Sequence, residues 1–302
     1  MPTVLDAEAV RAAVPMAAAI DAVRDAFFDL ADGHFTMPQR LVFGDGAVMV
    51  MSAHHEPSCS AVVKTLSVAP GRDPLILGTL VWTTVEGQLI ADAVTVTTLR
   101  TGAVTGVATD LLAAPDATRL ALFGAGAQAA DQVRAVMAVR PITELAVFTR
   151  NPGRAEALLG RIAAEFPGIA CRVAPTAEDA IGDADVVCCA TSATTPLFDA
   201  AALPERVHVN AVGSFRPSMR ELPERLLAGA HRVVVDQGEA ALEEAGEIIH
   251  ALDYGLLTLD DLTELGDALH LPPPRTGRTV FKSVGLAIQD WAIAKLLHRA
   301  TT

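Results

Sequence analysis

The chain has 302 residues, of which 51% are hydrophobic and 20% are charged, which suits one large or two ordinary domains rather than a disordered chain. Its formal net charge is −13, and a global acidic field repels nucleic acid and anionic membranes, so neither is expected as a partner. No signal peptide and no membrane span are expected. The four cysteines form no CxxC pair and no Cys/His cluster has zinc spacing, so we expect reduced thiols, a cytoplasmic location and no metal.

The first third of the chain has one helical pattern followed by β-rich segments. Apolar residues recur at steps of three or four over 14–32, which predicts an amphipathic helix that ends at Gly33. Short β-rich segments separated by turns then predict an antiparallel sheet. These segments cover 40–43, 47–52, 61–68, 78–84 and 89–96. A helix of small residues over 101–114 and a linker at Pro115-Asp116 complete this part.

Strands and helices alternate after the linker. The predicted strands cover 119–124, 145–149, 170–173, 186–190, 207–212 and 232–236, with helices at 127–138 and 152–165. Short apolar strands of this kind are typical of parallel sheets covered on both faces, so we expect an α/β fold with a Rossmann doubly wound sheet. A final helix over 280–297 is predicted to pack on the N-terminal sheet. The expected domains are therefore 116–276, and a second, α+β domain of 1–115 completed by 277–302.

A glycine-rich loop lies between the first predicted strand and helix of the Rossmann part. It reads Gly124-Ala125-Gly126-Ala127-Gln128, followed by Ala129-Ala130. The first glycine permits a tight turn and the second lets a pyrophosphate approach the backbone, while the small alanines allow close packing of helix on strand. Free N–H groups at the helix start favour an anion. The loop predicts a dinucleotide site.

The end of the next strand bears on which dinucleotide is bound. NAD enzymes usually place an acidic residue there for the ribose 2′-hydroxyl. This chain has Thr149, Arg150 and Asn151, and then Arg154. Arginine pairs well with a 2′-phosphate, so we expect NADPH to be preferred and NADH to be the alternative cofactor.

Three basic residues of the first part lie at or inside apolar segments. They are Arg40, Lys64 and Arg100. A buried lysine is costly unless it is paired, and its pKa shifts readily, so Lys64 is a candidate for proton chemistry. Taken singly, each residue could equally form a structural salt bridge. Together, three converging cations in an acidic protein would make a carboxylate site.

Several stretches resemble the ornithine cyclodeaminase/mu-crystallin family over essentially the whole chain. Besides the glycine-rich loop, they are Pro38–Arg40, Val63–Thr65, Leu99–Ala103, Asn210–Gly213, Glu244–Ile248 and Thr279–Gly285. The resemblance implies a homodimer built through the N-terminal domain and an active site in the interdomain cleft.

The resemblance also implies roles for single residues. Substrate-carboxylate ligands would be Arg40, Lys64 and Arg100, and Lys64 would also handle a proton. Ser283 would approach the nicotinamide, and Val212 would contact the cofactor.

One departure bears on the substrate. Ornithine cyclodeaminases carry an aspartate where this chain has Phe215, and the stretch Val48–Met51 also lacks their glutamate. A hydrophobic residue cannot hold a cationic amine, so ornithine cyclisation is disfavoured. The chain resembles most the ketimine reductase members of the family. We therefore expect reduction of a small cyclic imino acid, Δ1-pyrroline-2-carboxylate or Δ1-piperideine-2-carboxylate, to L-proline or L-pipecolate. The alternatives are an ornithine cyclodeaminase, an alanine or other amino-acid dehydrogenase, and a mu-crystallin-like NADPH-dependent ligand binder.

Overall fold

A computed structural model describes residues 2–69, 71–72 and 76–301 of the chain. The strands are β1 (Thr3–Leu5), β2 (Phe35–Thr36), β3 (Leu41–Phe43), β4 (Val48–His55), β5 (Ser60–Val68), β6 (Ile76–Thr83), β7 (Gln88–Asp92), β8 (Arg119–Phe123), β9 (Glu144–Phe148), β10 (Ala170–Val173), β11 (Val186–Cys189), β12 (Val207–Ala211), β13 (Arg232–Val235), β14 (Leu262–Glu264) and β15 (Arg278–Lys282). The α-helices are α1 (Ala7–Ala13), α2 (Met16–Ala31), α3 (Ala93–Leu112), α4 (Ala129–Val139), α5 (Pro152–Glu165), α6 (Ala177–Ile181), α7 (Glu224–Ala228), α8 (Gly238–Glu244), α9 (Gly246–Asp253), α10 (Leu265–His270) and α11 (Ala287–Thr301).

The chain divides into two units with separate internal packing. The first contains residues 1–104 and 286–302, and the second contains residues 105–285. The first dividing position falls inside α3, and the second falls directly after Gly285. No helix of the described residues is long and apolar enough to cross a membrane.

The first unit is built on a mostly antiparallel sheet. Its strand order is β1-β7-β6-β5-β4-β2, with β3 also paired to β4 and β1 parallel to β7. The alternating burial along β4 and β5 shows that one face of the sheet is covered. Helix α11 packs on β4 and β5 and against α2, which confirms the expectation that the last helix returns to the N-terminal sheet.

Two predicted segments of secondary structure have the wrong boundaries. The strand predicted over 89–96 ends at Asp92, and α3 begins at Ala93 rather than at residue 101. The Asp92 carboxylate accepts a hydrogen bond from the backbone N–H of Thr95 at 2.7 Å and so caps the helix. The β-branched residues of this stretch favour a strand, which is why the sequence predicted one. The helix predicted over 280–297 instead contains the end of β15, and α11 begins only at Ala287, after Gly285 turns at φ 84°.

The second unit contains the doubly wound parallel sheet that the sequence predicts. Its order is β10-β9-β8-β11-β12-β15-β13-β14, and every recorded pairing is parallel. Strands β9 and β10 lie on one side of β8, whereas β11 and β12 lie on the other, so the strand order reverses between β8 and β11. Ligands of such sheets bind at the carboxyl ends of the strands at this switch point. The loops that follow β8 and β11 therefore lie where a ligand would bind.

Alternate residues of the strands enter two separate hydrophobic cores. Leu120 and Leu122 of β8 pack with α4 and α5, whereas Ala121 and Phe123 enter the core on the other face. Cys188 and Cys189 likewise point one into each core and are fully buried. Burial raises the pKa of Cys188 to about 12 and also raises that of Cys189, so both thiols are core residues.

Candidate functional site

Lys64 lies on β5 with only 1% of its surface exposed. Its Nζ lies 2.8 Å from Oδ1 and 2.7 Å from Oδ2 of Asp290, a residue of α11 that is completely buried. Nζ also donates a hydrogen bond to Thr97 Oγ1 at 3.3 Å. The buried ammonium thus has a carboxylate partner within the same unit, which the sequence did not reveal.

Arg100 reaches the same carboxylate from α3. Its Nε lies 3.6 Å from Asp290 Oδ1, and its Nη1 donates to Gln289 Oε1 at 2.6 Å. Arg40 is half-buried and close enough to influence the titration of Lys64. The structure therefore brings together the three basic residues that the sequence singled out. Lys64 and Arg100 thus share the carboxylate of Asp290, and two cations on one carboxylate favour an additional anion.

The pKa of Lys64 is lowered to about 8. Burial is the largest cause, and the neighbouring Arg100 and Arg40 lower the value further, while Asp290 opposes them. A lysine with a pKa near 8 is mostly protonated at neutral pH, yet it can give up its proton more readily than an exposed lysine. This is the property required of a general acid.

The glycine-rich loop connects β8 to α4. Gly124 adopts φ 99°, and a Cβ at that position would lie 2.6 Å from the carbonyl oxygen of Ala190, so glycine is required there. A Cβ on Gly126 would meet no atom within 4 Å. Because protein packing does not require glycine at 126, the open space in front of this backbone fits a bound phosphate. Ala125, Ala127 and Gln128 complete the loop, and α4 begins at Ala129, two residues later than predicted.

A cavity of about 430 Å³ opens beside this loop at the carboxyl ends of β8, β9 and β11. Its lining includes Gly124, Gly126, Thr149, Arg150 and Arg154, together with the segment 190–197 that follows β11. The volume is in the range of small-ligand sites. Residues predicted to bind cofactor thus share one cavity at the expected edge of the sheet, and they fit a dinucleotide.

The other predicted cofactor residues have different surroundings. Asn151 accepts a hydrogen bond from the backbone N–H of Arg154 at 3.3 Å and caps α5, with Pro152 in the first turn. The backbone N–H of Val212 donates to Cys189 O at 2.9 Å, which ties the end of β12 to β11. Ser283 is buried in the second unit, where its Oγ donates to Asp236 Oδ2 at 2.7 Å. The same oxygen accepts the backbone N–H groups of Val284 and Gly285.

A second buried ionic cluster supports the loops after β11 and β12. Glu221 accepts hydrogen bonds from the backbone N–H groups of Thr191 at 2.7 Å and Gly213 at 2.8 Å. Lys282 donates to the carbonyl oxygen and Oγ of Ser214 and lies 3.7 Å from Glu247. The pKa of Glu221 is raised by burial, although Lys282 opposes that shift. These side chains hold in place two loops at the edge of the sheet where dinucleotides bind.

Phe215 follows that supported loop. It is partly buried against the hydrophobic core of the second unit, and the Arg216 guanidinium lies 5.3 Å from the centre of its ring. The position thus has no carboxylate to pair with an ammonium ligand or to accept a proton from water, and the neighbouring Arg216 repels a cation.

A model of the ornithine cyclodeaminase/mu-crystallin family matches residues 1–301. The chain belongs to that family. A Δ1-pyrroline-2-carboxylate reductase from Bacillus cereus is 42% identical to this chain over 209 residues. The matched region covers 67% of this chain and 63% of the relative, which is less than two thirds of the length of that protein.

Two solved structures match almost the whole chain. The Δ1-pyrroline-2-carboxylate reductase of Thermococcus litoralis, in complex with NADH and L-proline, has a TM-score of 0.92 and 28% identity, covering 99% of this chain and 97% of that one. An archaeal alanine dehydrogenase dimer with bound NAD has a TM-score of 0.90 and 29% identity, covering 99% and 96%.

Sequence reasoning missed Asp290 and the buried cluster around Lys282. Gln289 and Asp290 are adjacent polar residues inside an apolar helical pattern, and that was the available signal for a buried partner of Lys64. Glu247 and Lys282 both fall in stretches that carry the family resemblance, but nothing in their spacing indicates that they meet.

Proposed function

We propose that this protein reduces a cyclic ketimine carboxylate to the corresponding cyclic amino acid, with NADPH or NADH as the hydride donor. The observation that carries the proposal is that Lys64 and Arg100 share the buried carboxylate of Asp290 in the first unit. Arg100 and Arg40 bind the substrate carboxylate, whose charge balances them. The reaction also needs a hydride donor, and the glycine-rich loop of the second unit would bind the dinucleotide that provides it.

Lys64 supplies the proton in this proposal. A protonated imine accepts hydride more readily than a neutral one, and Lys64, with its pKa near 8, keeps the imine nitrogen protonated. Asp290 is a positioning residue, because it holds the Lys64 ammonium on the buried face of the sheet through contacts at 2.7 and 2.8 Å. When bound, the nicotinamide cofactor supplies the hydride.

Residues of the cavity in the second unit would hold the cofactor. The pyrophosphate would lie at Gly124 and Gly126, and the adenosine end would lie towards Thr149 and Arg150. Arg150 and Arg154 are exposed, and no acidic side chain occurs over 149–154, which supports a preference for a 2′-phosphate and hence for NADPH.

The experiment that tests the function follows NADPH and NADH absorbance with a panel of substrates. We expect turnover with Δ1-pyrroline-2-carboxylate or Δ1-piperideine-2-carboxylate and little turnover with pyruvate plus ammonia. Efficient formation of alanine from pyruvate would favour the alanine dehydrogenase function of the structurally similar archaeal protein instead. Absence of cofactor oxidation with every imino and keto acid would contradict the reductase proposal.

Ornithine cyclisation is tested separately. Because Phe215 has no carboxylate to pair with the side-chain amine of ornithine or to activate water, we expect no proline and no ammonia from L-ornithine with NAD. Efficient production of both would overturn the assignment of substrate class.

We also propose a homodimer formed through the first unit. Leu41, Val42 and Phe43 of β3 are each more than half exposed, and Val63 and Leu77 of the same sheet are also exposed. A row of exposed apolar residues on one sheet is typical of an interface. Light scattering should give a dimer mass for the wild type and a monomer mass for Phe43→Asp, whereas a monomeric wild type would contradict this proposal.

A further inference from the structure

Three potential metal ligands converge in the first unit, and none of them is assigned to the reaction. Asp29 lies near the end of α2, and Gly33 reverses the chain at φ 76° before His34. Antiparallel pairing of β2 with β4 sets Phe35 opposite His55, so His34 and His55 become neighbours. The positions 29, 34 and 55 match no familiar spacing of metal ligands, and the sequence therefore predicted no metal.

The distances in this cluster resemble the edges of a tetrahedral site. His55 Nε2 lies 3.2 Å from Asp29 Oδ2, and His34 Nδ1 lies 3.4 Å from Asp29 Oδ1. One ligand atom from each residue lies within 4.8 Å of the others. Zinc bonds of roughly 2.0–2.1 Å place tetrahedral ligand atoms about 3.3 Å apart. The His34 side chain is half exposed and can therefore rotate to bring its nitrogen closer to the other ligand atoms.

His55 is oriented as a metal ligand would be. It is 6% exposed, and its Nε2 makes no hydrogen bond of good geometry among the described residues. Its Nδ1 lies 2.7 Å from Ser58 Oγ, which in turn lies 2.7 Å from Ser60 Oγ, the acceptor for Trp291 Nε1–H. If Nδ1–H donates to Ser58, the Nε2 lone pair points at the carboxylate, an arrangement that a cation stabilises.

The charges near the cluster are compatible with a cation. The ammonium of Lys295 opposes a cation, but it lies 4.6 Å above the Trp291 ring and is itself influenced by Asp25 and Asp29. Asp29 and His34 remain partly exposed, which provides an entry path.

We propose that Asp29, His34 and His55 bind one divalent ion of the zinc class, with water in the fourth position. Two imidazole nitrogens and one carboxylate oxygen are donors that suit Zn²⁺ and Co²⁺ rather than Mg²⁺ or Ca²⁺. The ion would fasten the end of α2 to β4 and so stabilise the first unit.

The test is calorimetric titration of the chelator-treated, full-length protein with zinc chloride. We expect one site per chain, a higher Tm with zinc, and the visible absorption of tetrahedral Co²⁺ when cobalt is used instead. His34→Ala should weaken binding at least tenfold and abolish the Tm shift, and Asp29→Asn should do the same. Both replaced side chains are partly exposed, so these variants are expected to fold without metal.

His54→Ala is the matched control, because His54 is an exposed histidine on the same strand. It should bind zinc as the wild type does. Zinc binding that survives in His34→Ala and Asp29→Asn would show that the ion lies elsewhere and would overturn the proposal, as would the absence of a stoichiometric site in the wild type.

Discussion

Two buried lysines, one in each unit, differ in what surrounds them. Lys64 shares the carboxylate of Asp290 with Arg100, so two cations contact one carboxylate. Lys282 lies 3.7 Å from Glu247 and also influences Glu221, whose carboxylate accepts backbone N–H groups of two loops. The first arrangement suits a further anion such as a substrate carboxylate, while the second has two protein carboxylates for one lysine. Burial of a lysine alone therefore does not identify a reactive residue.

The largest effect on stability is expected at Lys282. Lys282→Met leaves Glu247 buried without its ion-pair partner and Glu221 without a nearby cation, at a cost of about 3–5 kcal/mol in the free energy of unfolding. Lys64→Met should cost less, because Arg100 stays beside Asp290. Chemical denaturation of both variants measures the difference. Equal destabilisation, or a greater loss for Lys64→Met, would contradict the distinction between the two clusters.

A smaller effect is expected from His208 of β12, which is also buried in the second unit. Its Nε2 lies 3.1 Å from Asn210 Oδ1, and burial is the main cause that lowers its pKa from 6.5 to about 4. A histidine kept neutral by folding gives full stability above pH 6.5, and that stability is lost as the pH falls towards 4. The loss amounts to about 3 kcal/mol, because each pKa unit is worth about 1.4 kcal/mol.

Denaturation of the wild type and of His208→Gln between pH 7 and pH 4 isolates this contribution. The variant starts less stable but should lose less stability on acidification, whereas His54→Gln should keep the wild-type dependence. If the free energy of unfolding fell equally with pH in the wild type and in His208→Gln, His208 would not be the source of this loss of stability.

The smallest expected effect concerns the cofactor. Arg150→Ala should lower kcat/KM for NADPH about tenfold, equivalent to about 1.4 kcal/mol, and should leave kcat/KM for NADH nearly unchanged. Arg161, an exposed arginine of α5, provides the matched control, since Arg161→Ala should alter neither value. A wild-type preference for NADH would remove the basis of this prediction.

Local signals in the sequence were sufficient for much of the second unit. Helix α5 spans the predicted residues because Asn151, Pro152 and the apolar spacing act over a few positions, and β10 also has its predicted bounds. The start of α3 was missed because Thr95 and Val96 favour strands and only the cap at Asp92 indicates a helix.

The partners within the candidate sites were harder to predict. Asp290 is 226 positions from Lys64, and their pairing depends on how α11 packs on β5. The order of residues along the chain does not contain that information. The same reason applies to Glu221 beside Thr191 and to the convergence of Asp29, His34 and His55.

The pH dependence of kcat/KM for ketimine reduction, measured for the wild type and for Lys64 variants, tests the central claim most directly. Because the pKa of Lys64 is about 8, the wild-type value should fall as the pH rises above 8. Lys64→Met should lose about a hundredfold or more in kcat/KM while it still binds the dinucleotide. In Lys64→Arg, kcat/KM should no longer fall above pH 8, and it should stay below the wild-type value. Lys295→Met, a less buried lysine of the same unit, serves as the control. Near-normal kcat/KM in Lys64→Met would contradict the account, because the cluster of Lys64, Arg100 and Asp290 would then be structural.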